Sequence, residues 1–243
     1  MTFRLDVLPA AAWADRVAAD LAARLRDEPG MRLCLPTGDT PAPVYASLAA
    51  MAQAGTAPFG AAEIVALDEY LDLPPGHPAR CDVRLRRELL DLLPDPPAAF
   101  HRIDADDPDP AAAAARIDTV AAGGLDLAIL GLGMNGHVGL NEPGSFADAP
   151  TRVVRTSEAS RRAAVERYGA DPAPTAGITL GVARLLQARE IWLLVTGARK
   201  APILARALEE PEGPDCPATW LRRHPALRVI VDEPAASALR GRT

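Results

Sequence analysis

The stretch LAILGLGMNGHVGLNEPGS, residues 127–145, reads in two ways, and the choice between them decides the fold's purpose. Its GLGMNG core fits Gly-x-Gly-x-x-Gly, the glycine pattern of dinucleotide-binding turns. It also places His137 and Glu142 five residues apart, with Asn135 just ahead of them. A dinucleotide turn needs its third glycine to open an uninterrupted helix whose N-terminus meets the pyrophosphate. Here Gly136 is followed by Gly139, Pro143 and Gly144, which break a helix, and the motif follows a strand deep in the chain rather than the first one. The glycines are therefore read as bending a loop at a strand's end so that Asn135, His137 and Glu142 are presented together. A carboxylate beside an imidazole orients it, raises its basicity and leaves the second ring nitrogen for proton transfer. A lone histidine would be read as a tie for the loop; three polar side chains in one tight turn favour chemistry.

Outward from this loop, short apolar runs alternate with helical patterns. MRLCLP (31–36), EIVALD (63–68), LDLAIL (125–130), EIWLLV (190–195) and LRVIVD (227–232) read as strands. Residues 11–27, 41–55, 81–93, 111–122 and 200–210 carry apolar residues at three- and four-residue steps and read as helices. Near-continuous apolar strands separated by helices indicate one α/β domain over 1–243, doubly wound, with a mostly parallel sheet and helices on both faces. In such sheets ligands lie beyond the carboxyl ends of the strands. Three polar clusters follow strands: PTGDTP (36–41), DEYLDLPPGHP (68–78) and the opening loop.

Bulk properties narrow the classes. A net charge of −6 and a pI near 5.3 argue against a nucleic-acid surface. Cys34, Cys81 and Cys216 are odd in number and widely spaced, so neither a disulfide framework nor a zinc site is indicated. No apolar run reaches the length of a membrane span, and the N-terminal stretch lacks a signal-peptide pattern; a cytoplasmic location is expected.

LDEY, GLGMNGHVGLNEPGS, PTGDTP, ITLGV and LLVTGARKA, occurring in order from about residue 31 to 235, resemble the motifs of the glucosamine-6-phosphate deaminase (isomerase) family, related to the 6-phosphogluconolactonases. NGHVGLNEPG is the most specific of them, and DEY and NEPGS look more like the deaminase branch. The resemblance implies an aldose–ketose isomerisation coupled to loss of a C2 amino group as ammonia, without a cofactor or metal. It implies that His137, held by Glu142 and Asn135, opens the sugar ring. Asp68 resembles the base that moves the C2 proton, a task suited to a carboxylate whose pKa burial lifts toward neutrality. Thr37, Gly38 and Thr40, ahead of a helix beginning near Pro41, resemble phosphate-loop residues, and Lys200 resembles the family's phosphate lysine. Gly136 and Glu69 complete the expected substrate contacts. The implied partner is a small sugar, phosphorylated on the family pattern.

Three departures from that pattern concern the substrate's far end. Asp39 stands where glycine or serine is usual, and could either face the phosphate or turn away to cap the helix at Pro41. HPARC (77–81) replaces HPxSY, placing Arg80 and Cys81 where serine and tyrosine are expected. In a lid segment near 150–175, SRRAAVERYG puts Glu166 at the place of an arginine that approaches the phosphate, with Arg167 one residue on. Arg80 and Arg167 are thus candidate replacements for the lost charge. The alternatives are the same chemistry on an unphosphorylated or differently substituted amino sugar, a sugar-lactone hydrolase, and a non-catalytic sugar-sensing domain. A sensor should carry a helix-turn-helix, for which there is no room before the strand at 31. A short tail after VDEP leads to the expectation of a monomer or small homo-oligomer without allosteric activation.

Overall fold

The five apolar runs become five contiguous strands at the centre of a seven-stranded parallel sheet. In a computed structural model describing residues 3–169 and 171–240, the strands of this sheet are β1 (Arg4–Leu8), β2 (Arg32–Leu35), β3 (Glu63–Ala66), β5 (Ala99–His101), β6 (Leu127–Gly131), β9 (Glu190–Val195) and β10 (Leu227–Asp232). Their spatial order is β1-β10-β9-β6-β2-β3-β5, with every pair parallel. The two strands absent from the sequence reading, β1 and β5, are the edges. They pair on one side only and bury little, so they lack the apolar run that marks a central strand.

Period-two alternation divides the core. Leu33, Leu35, Ile64, Leu127, Ile129, Trp192, Leu194 and Ile230 face one side, where α1 (Trp13–Asp27), α2 (Ala42–Gln53) and α3 (Cys81–Glu88) cover them. Cys34, Val65, Ala128, Leu130, Ile191, Leu193, Val195, Val229 and Val231 face the other, against α4 (Pro110–Ala122), the short α6 (Val182–Leu185) and α7 (Ala201–Glu209). The fold is thus a single α/β domain with helices packed on both faces. The helix expected over 81–93 stops at Glu88 and continues as a 3₁₀ turn at Leu90–Leu92. Among the described residues no helix is long and apolar enough to cross a membrane.

A second, antiparallel sheet was not foreseen. It joins β4 (Asp68–Tyr70), β8 (Ala176–Thr179) and β7 (Arg152–Arg155) in the order β4-β8-β7. The segment read as a lid leaves this sheet at β7, forms α5 (Glu158–Tyr168) and returns in β8. DEY, read as a loop after a strand, is therefore itself a strand, and it puts Asp68 in the same sheet that carries the lid.

Strand order reverses between β2 and β6. From β2 the chain builds outward to β3 and β5; from β6 it builds the other way to β9, β10 and β1. The loops at the carboxyl ends of β2 and β6 diverge at such a point and leave a crevice.

Candidate active site

The loop after β6 stays non-helical throughout, which removes the dinucleotide reading on structural grounds. Backbone bonds shape it: Gly136 N–H donates to the Gly133 carbonyl at 3.0 Å and Gly133 N–H to the His137 carbonyl at 2.9 Å. Gly136 has φ +87°, and a Cβ there would lie 2.5 Å from Cys216 Sγ. Gly133 is needed for a different reason. A Cβ on it would stand 2.3 to 2.5 Å from three atoms of the His137 ring, so the imidazole packs on bare backbone.

The polar side chains of the loop form one cluster. His137 Nδ1 is 3.3 Å from Glu142 Oε2, and Asn135 Nδ2 donates to the same oxygen at 2.8 Å. Asn135 Oδ1 in turn accepts from the His137 backbone N–H at 3.2 Å. Burial pushes the Glu142 carboxyl up, but His137, Ser160 and Asn135 outweigh it and hold the group down at about 2. Glu142 is therefore a carboxylate at any working pH. Nδ1 faces this carboxylate, and among the described residues Nε2 has no hydrogen-bond partner, so Nε2 is the nitrogen free to exchange a proton.

Asp68 enters from β4, partly open to solvent. Burial pushes its carboxyl up to about 6, against the opposing pull of the Cys81 thiol, the His137 ring and the Arg84 guanidinium. An acid that ionises near neutrality, beside an imidazole–carboxylate pair, is an arrangement suited to moving protons.

Across the reversal point, the turn after β2 holds Thr37 and Gly38 at intermediate exposure, Asp39 exposed and Thr40 buried. Gly38 has φ +135°, a left-handed value that lets the turn deliver its amides toward the start of α2. Lys200 arrives from the end of β9. Its ammonium donates to the Leu132 carbonyl and lies 3.5 Å from Thr40 Oγ1, between the ends of β2 and β6. The turn that delivers it is pinned by Asp232, both of whose oxygens accept from Gly197 N–H at 3.0 Å.

Two expected substrate contacts are corrected by this geometry. Glu69 is 1% exposed, and its carboxylate accepts from Tyr70, Cys81 and Asp82 N–H at 2.7 to 2.8 Å. It caps the otherwise open N-terminus of α3 from a neighbouring strand. Side chains alternate along β4, so Asp68 faces the cleft while Glu69 faces the interior. Arg80 is 3% exposed; its guanidinium donates to the Leu73 carbonyl and, in a two-pronged pair, to Asp106. It anchors the DLPPGHP loop. Arg80→Ala is expected to cost about 2–3 kcal/mol of stability, since it strands the Leu73 carbonyl while Asp106 remains hydrated. Urea unfolding against the KM of the variant checks this, because an anion-binding arginine would raise KM instead. The side chain of Arg167 lies outside the described residues. Glu166 is exposed on α5.

Sequence reading missed Ser157 and Ser160 at the start of α5. Ser160 Oγ donates to Glu142 Oε1, and Ser157 N–H approaches the same oxygen at 3.4 Å. Their signal was a Ser-x-x-Ser helix start, which by itself says nothing about a partner fifteen and eighteen residues upstream. Among the described residues no group of three or more His, Cys, Asp or Glu is arranged to hold a metal ion. A cavity of about 510 Å³ lies at the opposite, amino end of the sheet, between Arg4, Arg24, Glu190, Trp192 and Arg228. Its arginines are paired with Asp6, Asp20 and Glu190, so it presents little unbalanced charge.

Ionisable groups gathered in the crevice of a parallel sheet, on a loop after β6 that opens no helix, define an α/β protein suited to acid–base chemistry on a small polar ligand. The description "Glucosamine-6-phosphate isomerases/6-phosphogluconolactonase" matches residues 8–230, and the chain belongs to that family. It is 39% identical over 235 residues to a glucosamine-6-phosphate deaminase of Streptomyces coelicolor, covering 95% of this chain and 90% of that one. It is 37% identical over 227 residues to a glucosamine-6-phosphate deaminase of Rhodopirellula baltica, covering 92% and 90%. Among solved structures it superposes on a monomeric glucosamine-6-phosphate deaminase with a TM-score of 0.91 at 28% identity, covering 97% of this chain and 99% of the other. A 6-phosphogluconolactonase of Thermotoga maritima shares the fold, with a TM-score of 0.75 at 21% identity over 96% and 100% of the two chains. Family membership supports an enzyme of amino-sugar-phosphate isomerase/deaminase chemistry.

Proposed function

We propose that the protein converts glucosamine 6-phosphate, or a close relative, to the corresponding ketose phosphate and ammonia. The observation that carries the reading is Asp68, a cleft carboxylate poised near pH 6 beside an imidazole whose Nε2 is open. Ring opening requires a group that takes the C1 hydroxyl proton and gives one to the ring oxygen. His137 can do both, because its Nε2 is open while Glu142, 3.3 Å from Nδ1, fixes the ring. Asp68 then removes the C2 proton and returns it to C1, converting the amino aldose to a C2 iminium. Water adds at C2 and ammonia leaves. The oxidation at C2 is balanced by the reduction at C1, so the chemistry calls for no electron carrier.

Recognition of the phosphate falls to Lys200 and the turn after β2, whose amides lead into α2. With Arg80 committed to Asp106, Lys200 is a cation held beside that turn. Asp39 is exposed to water, where screening weakens the repulsion that a carboxylate in this turn would otherwise exert. The proposal is tested by ammonia release from glucosamine 6-phosphate, unphosphorylated glucosamine and 6-phosphogluconolactone, the last scored for hydrolysis. Turnover of the first, with kcat/KM well above that of glucosamine, is expected. Equal values for the two amino sugars, or hydrolysis of the lactone alone, would overturn it. Lys200→Ala should lower kcat/KM for the phosphorylated sugar by about 10²-fold, chiefly through KM, and leave any glucosamine turnover unchanged.

A further inference from the structure

Glu142 receives help from outside its own loop. On one oxygen it meets Asn135 and His137, its neighbours in sequence; on the other it meets Ser160 and Ser157, which belong to α5. Only 11% of its side chain is exposed, and Ser160 is 6% exposed, so water does not substitute freely for the Ser160 hydroxyl. Ser157 caps α5 by accepting the Ser160 N–H at 3.1 Å, and the two hydroxyls lie 3.2 Å apart. The same turn that starts the helix thus aims the Ser160 hydroxyl at Glu142. An eleven-residue helix pointing its N-terminus at a carboxylate adds a favourable field.

We propose that Ser160 is a positioning residue: by holding Glu142 from the lid side, it fixes the orientation and the negative charge of the group that steadies His137, so the acid–base pair is complete only while the first turn of α5 is docked. This rests on the proposed function for its catalytic consequence, but the effect on Glu142 itself does not. The lid and the catalytic loop then meet at Glu142 Oε1, which keeps only the longer 3.4 Å approach of Ser157 N–H once the Ser160 hydrogen bond is lost. Loss of that bond leaves a buried carboxylate oxygen short of a donor, which favours the neutral acid and frees the side chain to turn away from His137.

The charged groups around Glu142 are few enough to interpret a titration. His137 is at 3.3 Å in the same loop, and Asp68 on β4 couples to His137 rather than to Glu142. Arg152 on β7 is bound to Asn141 and Ser145, on either side of Glu142 in the chain. On α5, Glu158 is 80% exposed and pairs with Arg162. Because Asp68 ionises well above Glu142, the acid limb of a rate profile reports Asp68 and hides Glu142. Glu142 must be read directly.

The experiment is a carbon-detected NMR titration of the Glu142 carboxyl in the free wild-type, Ser160→Ala, Ser160→Cys and Ser160→Thr proteins, with kcat and KM measured in parallel. Ser160→Ala should raise the Glu142 midpoint by about one pH unit or more, Ser160→Cys by less, and Ser160→Thr hardly at all. In the same series kcat should fall about 10- to 100-fold in Ser160→Ala and recover in Ser160→Thr, with KM nearly constant. A Glu142 midpoint unmoved by Ser160→Ala overturns the inference, as does a raised midpoint with undiminished kcat. If Ser160→Ala does not fold, Ser160→Cys carries the same test. A wild-type protein inert toward amino-sugar phosphates would instead defeat the proposed function, and the titration would still decide what Ser160 does to Glu142.

Discussion

Asp68→Asn is expected to stop turnover and, at neutral pH, to make the protein more stable. The amide cannot accept the C2 proton, so exchange of that proton with deuterated solvent should fall by at least the 10²–10⁴-fold typical of a general base. Ring opening, for which His137 is proposed, should persist. The stability gain follows from the same burial that tunes the group. A carboxyl lifted from 3.8 to about 6 in the folded state is held more comfortably as the neutral acid. Below pH 3.8 it is protonated in both states and costs nothing. As pH rises through about 6 the folded protein must carry the charge, and stability is lost. The full gap corresponds to about 3 kcal/mol, and solvent reaching Asp68 reduces it, so about 1–3 kcal/mol is expected at pH 7. Urea unfolding at pH 7 and pH 4 checks the sign: the advantage of Asp68→Asn should shrink at the lower pH. In the wild-type enzyme kcat/KM should fall by half near pH 6 on the acid side. Undiminished C2 exchange in the variant would remove Asp68 from this role, and Glu69 could not inherit it, since its carboxylate is spent on three backbone donors.

What was legible in the sequence follows the physics of burial. EIVALD and LRVIVD announce themselves because a central parallel strand is apolar on both faces, whereas RLDVL and AFH form edges and read as nothing in particular. The loop at 133–142 was legible because glycine, asparagine, histidine and glutamate at that spacing have few structural uses. The helix read over 111–122 begins one residue earlier, at Pro110, where Asp109 accepts from Ala111 and Ala112 N–H. Glu69 and Arg80 were misjudged for one shared reason. Adjacent residues in a strand face opposite ways, and neither the strand DEY nor the loop that Arg80 anchors could be placed before the three-stranded sheet was known. Ser160 was out of reach for a related reason: its partner is assigned by how the lid packs, and no local pattern records that.

His137→Ala should cost about 10²–10⁴-fold in kcat/KM for the closed-ring sugar while leaving the fold nearly untouched. The second half of that statement comes from how the loop is held. The Gly133–His137 and Gly133–Gly136 backbone bonds, the bond from Leu140 N–H to Thr179 Oγ1, and the two bonds from Asn141 Nδ2 to the Val138 and Leu180 carbonyls all survive loss of the imidazole. The ring is 23% exposed, so little apolar burial is lost with it. Gly133→Ala provides an independent route to the same outcome. Its new methyl would occupy space within 2.3 to 2.5 Å of the imidazole atoms, forcing the ring off Glu142 while keeping every titratable group in the protein. Both variants should therefore lose activity together and unfold in urea close to the wild type, and Gly133→Ala should do so with His137 still present. If His137→Ala keeps most of its activity, or unfolds at markedly lower urea, the imidazole is a structural tie. If Gly133→Ala alone is harmless, the ring position tolerates displacement, and the His137–Glu142 contact is not what sets the rate.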